Sequence, residues 1–265
     1  MSTAQEVAAA VGDLPETASP ADIVARVTGA FERLGSPANA EGQARFMPGL
    51  DQAYGVSVPH LRALGKHVAR AYRDDPDRCR DAARESWPRG SREHRLFAVF
   101  LLEQIKELTP AECWELGVGF LPGVRTWEDC DQLCGATLGR ALAAEAAYMD
   151  DLEAWAGDES VWARRAALVS TVYLRRSRLA DEAVRALDAR ALALCEALLD
   201  DPEPYVRKAV DWAVREVLGR HYSLGRAWLK DQARRELSRT ARSTLKKSAK
   251  KLNEADQQAF LAALG

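Results

Sequence analysis

The sequence predicts an all-α protein, built as a curved solenoid of antiparallel helix pairs. Apolar residues recur at the helical period of 3.6 along nearly the whole chain, and no segment shows the alternation of a half-buried strand. The 265 residues are 47% hydrophobic by a count that includes many alanines, which suits packed helices. Successive helix pairs repeat roughly every 35–45 residues, a spacing in the range of HEAT-type repeats. A compact non-repeat bundle is the alternative.

Start and stop signals divide the chain into fifteen short helices. Prolines stand at predicted helix starts or just before them, where a missing N–H costs least, at Pro59, Pro76, Pro110, Pro202 and Pro204. Plausible N-caps are Ser91, Thr109, Thr126 and Ser160. In order, the helices are predicted over residues 3–12, 20–34, 38–46, 58–73, 76–86, 91–106, 110–119, 126–142, 145–155, 160–176, 181–198, 204–219, 222–237, 239–251 and 254–263. Met47 to Gly55 form the clearest irregular link.

Length and composition favour a single domain over residues 1–265, in which residues 1–50 form an N-terminal helical cap. The sequence has no run of 18 apolar residues, so it predicts no membrane span. The acidic N-terminus lacks the features of a signal peptide. The five cysteines are odd in number, and none lies in a CxxC motif. We therefore expect a reduced, cytoplasmic protein without a structural metal.

Charge is distributed unevenly along a chain whose net charge is only −2. Between Tyr205 and Lys251 the sequence has 14 Lys and Arg residues against four Asp and Glu, whereas the remainder carries a net charge of −12. Such a basic flank is typical of a phosphate-binding face, although a solvated helix surface is an equally good interpretation.

The segment Thr126 to Leu142 is predicted as one helix, with Thr126 as its cap and Asp129 in its first turn. One apolar stripe runs along it, formed by Trp127, Cys130, Cys134, Leu138 and Ala141. Asp131 falls at the edge of this stripe, where a carboxylate is costly unless a cation compensates it. Asp131 is therefore either part of a structural ion pair or a catalytic carboxylate at the mouth of a cleft.

Two further residues break the amphipathic pattern of their helices. Trp212 lies roughly 160° from the apolar stripe of its helix, between Lys208 and Arg215. It either packs on a neighbouring helix or contacts a sugar–phosphate chain. Arg165 falls in the middle of an apolar stripe, so it snorkels, projects into a cleft or pairs with an acid, for which Asp131 is a candidate.

The standard chemistry motifs, such as GxGxxG, the Walker loop, HExxH and GxSxG, are absent from the sequence. The four histidines are scattered, and we expect all of them to be surface or capping residues.

Together these features resemble the AlkD-type DNA alkylation-repair glycosylases, which are built of HEAT-like repeats. The similar segments are YGVSVPHLRALGKHVAR, SREHRLFAVFLLE, TWEDCDQL, SVWARRAALVSTVYLRR, KAVDWAVREVLGR and RTARSTLKKSAKKL, which together cover most of residues 54–252. Residues 1–50 contribute little to the resemblance.

The resemblance implies roles for particular residues. Trp127 and Asp131 match the Trp and the second Asp of the family's WDxxD motif, and Trp212 matches the Trp of its KAVxW motif; in the family these three line the cleft at the lesion. The resemblance implies Arg164 or Arg165 and Arg215 as contacts to the DNA backbone, and the basic flank adds Lys208, Lys246 and Lys247 as further candidates.

The function implied by the resemblance is excision of cationic N3- or N7-alkylated purines from double-stranded DNA. The implied enzyme needs no cofactor and no metal, acts as a monomer away from the membrane, and is cytoplasmic and associated with the nucleoid. Two other functions remain open on the sequence. One is a non-catalytic binder of damaged, bent or branched DNA, in which Asp131 merely pairs with Arg165, and the other is a protein-interaction scaffold. A housekeeping role and self-resistance to a DNA-alkylating natural product are also both open.

Overall fold

The computed structural model describes residues 1–265 and is all-α without a strand, which confirms the predicted fold class. It contains sixteen α-helices connected by tight turns, several of which are 3₁₀. The chain divides into two compact units, residues 1–137 and residues 138–265. The single domain with an N-terminal cap stays a prediction.

Unit 1 is a stack of helix pairs around one buried helix. Its helices are α1 (Thr3–Val11), α2 (Pro20–Leu34), α3 (Pro37–Phe46), α4 (Val58–Ala71), α5 (Pro76–Ser86), α6 (Arg92–Leu102), α7 (Pro110–Phe120) and α8 (Trp127–Ala136). Helix α6 is buried along its whole length and packs against α4, α5 and α8. Gly65 of α4 allows close packing there, because a Cβ at this position would lie 2.8 Å from the backbone of Phe100.

The first turn of α6 is polar but buried. Arg92, Glu93, His94 and Arg95 are each at most 4% exposed. The Glu93 carboxylate accepts hydrogen bonds from three successive backbone N–H groups, those of Tyr54, Gly55 and Val56, at 2.9–3.2 Å. Hydrogen bonds to a carboxylate are stronger than those between neutral groups. Glu93 thereby fixes the end of the irregular link before α4.

Unit 2 is also a stack of helix pairs. Its helices are α9 (Leu138–Ala144), α10 (Met149–Ala154), α11 (Val161–Val172), α12 (Asp181–Ala197), α13 (Pro204–Arg220), α14 (Tyr222–Gln232), α15 (Arg239–Ser248) and α16 (Glu254–Leu264). Helix α13 lies at its centre and packs against α11, α12, α14 and α15. Its buried stripe is the predicted one, formed by Val206, Val210, Ala213, Val214 and Val217.

The prediction of one helix over Thr126–Leu142 is wrong. Helix α8 ends at Ala136, and Thr137 leaves the helical region with φ −130° and ψ −87°. The Thr137 hydroxyl donates to the Leu133 carbonyl at 2.7 Å, and the Thr137 backbone N–H donates to the same oxygen at 3.0 Å. This side chain competes with the helical ladder, so the chain breaks before α9 begins. The residues of the predicted stripe that follow Trp127 are nevertheless all buried.

Most other predicted boundaries lie within a few residues of the observed ones. The proposed caps Ser91, Thr109, Thr126 and Ser160 each accept a hydrogen bond from a backbone N–H of their helix. All five cysteines are buried free thiols. None of the sixteen helices combines the length and the apolar character that crossing a bilayer requires.

Of the four histidines expected at the surface or in caps, His94 and His221 are buried, and His221 stands at the cap position between α13 and α14. His221 is 9% exposed and its Nδ1 lies 2.8 Å from the buried Asp188 carboxylate. His94 is 4% exposed and packs edge-on against Phe31, while its Nδ1 lies 2.7 Å from the Ser91 hydroxyl. Both residues lie at helix junctions, where neighbouring helices cover them.

The burial of His94 predicts a pH-dependent stability. Burial lowers the pKa of His94 to about 4, and the charges of Arg89 and Arg95 act in the same direction. Because the unfolded histidine titrates near 6.5, the unfolded state binds the proton first as pH falls. The contribution of neutral His94 to the free energy of unfolding is therefore complete above pH 6.5 and declines by about 3 kcal/mol as pH falls to 4.

Urea denaturation of the wild-type protein and of His94→Gln across this pH range tests the prediction. We expect the difference between their free energies of unfolding to shrink as pH falls. Two parallel pH profiles would contradict it.

Candidate functional site

Helix α8 positions two of the residues singled out in the sequence. The Thr126 side chain and Asp129 form a reciprocal capping box at its start, as predicted. Trp127 is half-buried, and Asp131 follows it one helical turn later with only 8% of its surface exposed. Because residues four apart lie on one helix face, the indole and the carboxylate are neighbours. The structure thus brings Trp127 and Asp131 together.

Two buried ion pairs fix the register of α8. Arg92 of α6 holds Glu128 through two hydrogen bonds of 2.6 and 3.0 Å. Arg95 of α6 holds the fully buried Asp129 at 3.0 Å. These two acids immediately precede the Cys130–Asp131 pair, so the position of the Asp131 backbone depends on both ion pairs.

A third contact continues this arrangement on the next residue of α8. Arg62 of α4 donates to the Gln132 side chain at 2.8 Å and also pairs with Glu103. Its guanidinium lies over the Phe100 ring, 4.1 Å from the centroid. Three arginines of unit 1 therefore hold the α8 segment on either side of Asp131.

In unit 2, the adjacent arginines at the start of α11 have different environments. Arg164 makes two hydrogen bonds to Asp201, at 2.6 and 3.3 Å, and two more to the carbonyls of Asp158 and Glu159. The hydrogen bonds to Asp201 raise the pKa of Arg164. Since four of its five N–H donors are occupied, Arg164 ties the start of α11 to the turn before α13.

Arg165 is buried, with 5% of its surface exposed, and its guanidinium donates to the Tyr205 carbonyl. The Tyr205 ring packs against Trp162 with 5.6 Å between ring centroids. The Lys208 ammonium lies 5.5 Å from the centroid of the Tyr205 ring. The first turns of α11 and α13 thus form a small aromatic and cationic cluster within unit 2.

The residues predicted on the polar side of α13 lie there. Trp212 is half-buried and its indole N–H donates to Glu216 at 3.2 Å. Lys208 and Arg215 are exposed, and Arg215 forms an ion pair of 3.2 Å with Asp211 one turn earlier. Trp212 is therefore held by a contact within its own helix, while the two cations that flank it face solvent.

The two lysines of α15 are exposed, as a role in phosphate binding requires. Lys246 donates to the Gly265 carbonyl at 3.3 Å. Lys247 lines a groove between α13 and α15 together with Lys208. Within unit 2, the structure thus brings these two predicted DNA contacts together.

The structural importance of the four polar residues at the start of α6 is not evident from the sequence alone. The signal that could have revealed it is a run of four consecutive charged or polar residues at the head of an otherwise apolar helix. No group of three or more His, Cys, Asp or Glu residues in the chain is placed to hold a metal ion.

Comparisons with known proteins find one family by sequence and one similar fold by structure. Residues 27–252 match the sequence model of a family described as DNA alkylation repair enzyme. A solved structure described as a predicted DNA alkylation repair enzyme from Enterococcus faecalis has a similar fold, with a TM-score of 0.61 and 17% sequence identity. The similarity covers 83% of this chain and 97% of that one. The search of curated proteins found no match.

The ion pairs that hold α8 predict a large cost for removing one partner. Arg95→Met leaves the Asp129 carboxylate buried without its cation, and such a loss typically costs about 3–5 kcal/mol. Arg84→Ala is the control, because Arg84 and Asp81 form an exposed pair whose loss costs below about 1 kcal/mol. Chemical denaturation measures both, and similar costs for the two variants would contradict the prediction.

Proposed function

Because the chain belongs to the DNA alkylation repair enzyme family, we propose that it is a DNA glycosylase. The family supports a role in DNA repair. The proposed reaction is hydrolysis of the N-glycosidic bond of cationic N3- or N7-alkylated purines in duplex DNA. The released base leaves an abasic deoxyribose for later steps of base excision repair.

The observation that supports this reaction most directly is the carboxylate of Asp131. It is almost fully buried, lies one turn from an indole, and belongs to a helix whose register is fixed by Arg92 and Arg95. Catalytic groups require such fixed positions, since electrostatic stabilisation depends on preorganised charge. An acid needed only for solubility would not be placed on a buried face.

The chemistry of the substrate explains why a carboxylate is enough. Alkylation at N3 or N7 gives the purine a positive charge, which weakens the glycosidic bond and makes the base a good leaving group without protonation. The enzyme therefore needs no general acid. Asp131 stabilises the oxocarbenium-like charge that develops on the sugar and orients the attacking water.

The remaining residues contribute contacts to DNA. Trp127 and Trp212 offer aromatic faces to the deoxyribose and to the cationic base, and such faces attract cations. We assign Arg165, Arg215 and Lys208 to the DNA backbone. Arg164 receives a structural role instead, since Asp201 and two carbonyls occupy most of its donors.

Excision is tested with methylated duplex DNA and mass spectrometry of the released bases. We expect the wild-type protein to release 7-methylguanine or 3-methyladenine. Asp131→Asn should retain duplex affinity and lose roughly 10²–10³-fold in the single-turnover rate, since the neutral amide no longer stabilises the cationic sugar.

Asp51→Asn is the matched control, because Asp51 is exposed in the same unit. It should excise at the wild-type rate. Loss of duplex affinity together with excision in Asp131→Asn, at a lowered melting temperature, would show that Asp131 is structural. Intact duplex binding without any release of either base by the wild-type protein would count against the glycosylase and favour a non-catalytic DNA binder.

A further inference from the structure

The basic flank between Tyr205 and Lys251 contains two groups of cations with different environments in the structure. The first group is neutralised. Arg220 pairs with Asp188 at 2.5 Å, Arg226 pairs with Asp256 at 2.6 Å, and Arg235 pairs with Glu196. All three acids lie outside the flank in the sequence, so a local charge count overstates the free positive charge of α14 and its neighbourhood.

The second group lies on the solvent-facing side of α15. None of its members forms an ion pair with an Asp or Glu side chain, and they are Arg239, Arg242, Lys246, Lys247 and Lys250. The opposite side of the helix is buried through Ala241, Leu245 and Ser248. The cations therefore form one stripe rather than a ring around the helix.

This stripe lines a groove. Between α13 and α15 lies a concavity of about 330 Å³, and a second one of about 700 Å³ follows α15 along its length. Arg239, Ser243 and Lys247 line both, so the two concavities form one continuous surface, which we call the α15 groove. Lys208 and Arg207 of α13 add two cations to its wall.

The only acid in the wall of the α15 groove is already compensated. Asp211 pairs with Arg215 at 3.2 Å and accepts a hydrogen bond of 3.1 Å from Ser248. The hydroxyl groups of Thr240 and Ser243 are exposed beside the cations. Unpaired cations interleaved with hydroxyl donors are the groups that proteins use to bind DNA phosphates.

We propose that the α15 groove binds the sugar–phosphate backbone of one strand of undamaged duplex DNA, with Arg239, Ser243 and Lys247 as phosphate ligands. Arg239, Thr240, Ser243 and Arg207 thereby join the DNA-contacting residues. The inference rests on the proposed function for its choice of DNA as the polyanion, but it concerns binding without a lesion. The groove supplies salt-dependent affinity, and Asp131 supplies chemistry.

The dimensions of the groove agree with this ligand. From Arg239 to Lys250 the helical rise is about 16 Å at 1.5 Å per residue. Along the axis of B-form DNA, that length corresponds to about five phosphates of one strand at 3.4 Å each. A linear stripe that is open to solvent fits a chain of phosphates better than a single small anion.

The test is the salt dependence of binding to an undamaged duplex, measured by fluorescence anisotropy. In the Arg239→Ser, Lys247→Ser double variant, two phosphate contacts are lost. The slope of log K against log salt should then become shallower by roughly 1.8, since each contact contributes about 0.9. Affinity near 0.1 M salt should fall roughly tenfold to a hundredfold.

Lys230→Ser is the matched control. Lys230 is an exposed cation of α14 in the same unit, and it lies beside Leu229 and Phe260 rather than in the α15 groove. Its removal should leave the slope unchanged. Equal melting temperatures for the three proteins establish that the substitutions act on binding.

An unchanged slope and affinity in the double variant would overturn the proposal. It would also be overturned if the double variant lost binding to phosphatidylglycerol vesicles but kept its duplex affinity, since the groove would then be a lipid-binding surface. Binding to undamaged duplex needs no excision. A chain that binds through this groove but releases no base would therefore contradict the glycosylase only, and excision with an unchanged slope would contradict the groove only.

Discussion

Charge buried at the start of α6 is the constraint on which unit 1 depends. Four polar side chains in one turn are removed from water, and each requires a partner because an unpaired polar group or charge in the interior is destabilising. Arg92 and Arg95 find theirs on α8, and Glu93 finds its partners in the backbone before α4. The same turn therefore determines where both segments lie. The apolar remainder of α6 contributes buried hydrophobic surface, whereas this first turn fixes the position of α8 along α6.

The sequence was sufficient for the fold class because its signals are local. Caps, prolines and the 3.6-residue period act within a few residues, and they located most of the helices. The break at Thr137 was missed because the stripe of apolar residues continues across it, and only the hydrogen bonds of the Thr137 side chain reveal the interruption. The burial of His94 was missed for a different reason, since a neighbouring helix covers it. Such covering depends on packing between distant segments, which a single sequence does not display.

In the candidate site, too, the local features are predictable from the sequence and the contacts between distant segments are not. The sequence indicates Asp131 and Trp127 through their positions on a helix, and the structure places both on α8. It does not indicate that Glu128 and Asp129, the other two acids of that segment, are held by arginines more than thirty residues earlier. Likewise, the count of cations after Tyr205 is correct, but which of them are neutralised depends on acids such as Asp188 and Asp256 that only folding brings near. A basic segment therefore indicates a ligand only once it is known which of its cations are neutralised by acids of the same protein.

The bonds of Glu93 have a consequence for how this chain can vary. It binds residues 54–56 through main-chain groups, so the carboxylate does not recognise the side chains of Tyr54 and Val56. Gly55 is the exception, because its φ of +79° and the Ser36 carbonyl, 2.1 Å from where a Cβ would stand, leave no room for a side chain. Glu93 therefore constrains the path of this segment, whereas packing constrains its side chains, since Val56 is fully buried and the Tyr54 ring packs against Phe31. Glu93 and Gly55, separated by 38 positions in the sequence, are the pair of residues that together set the path of the chain at this junction.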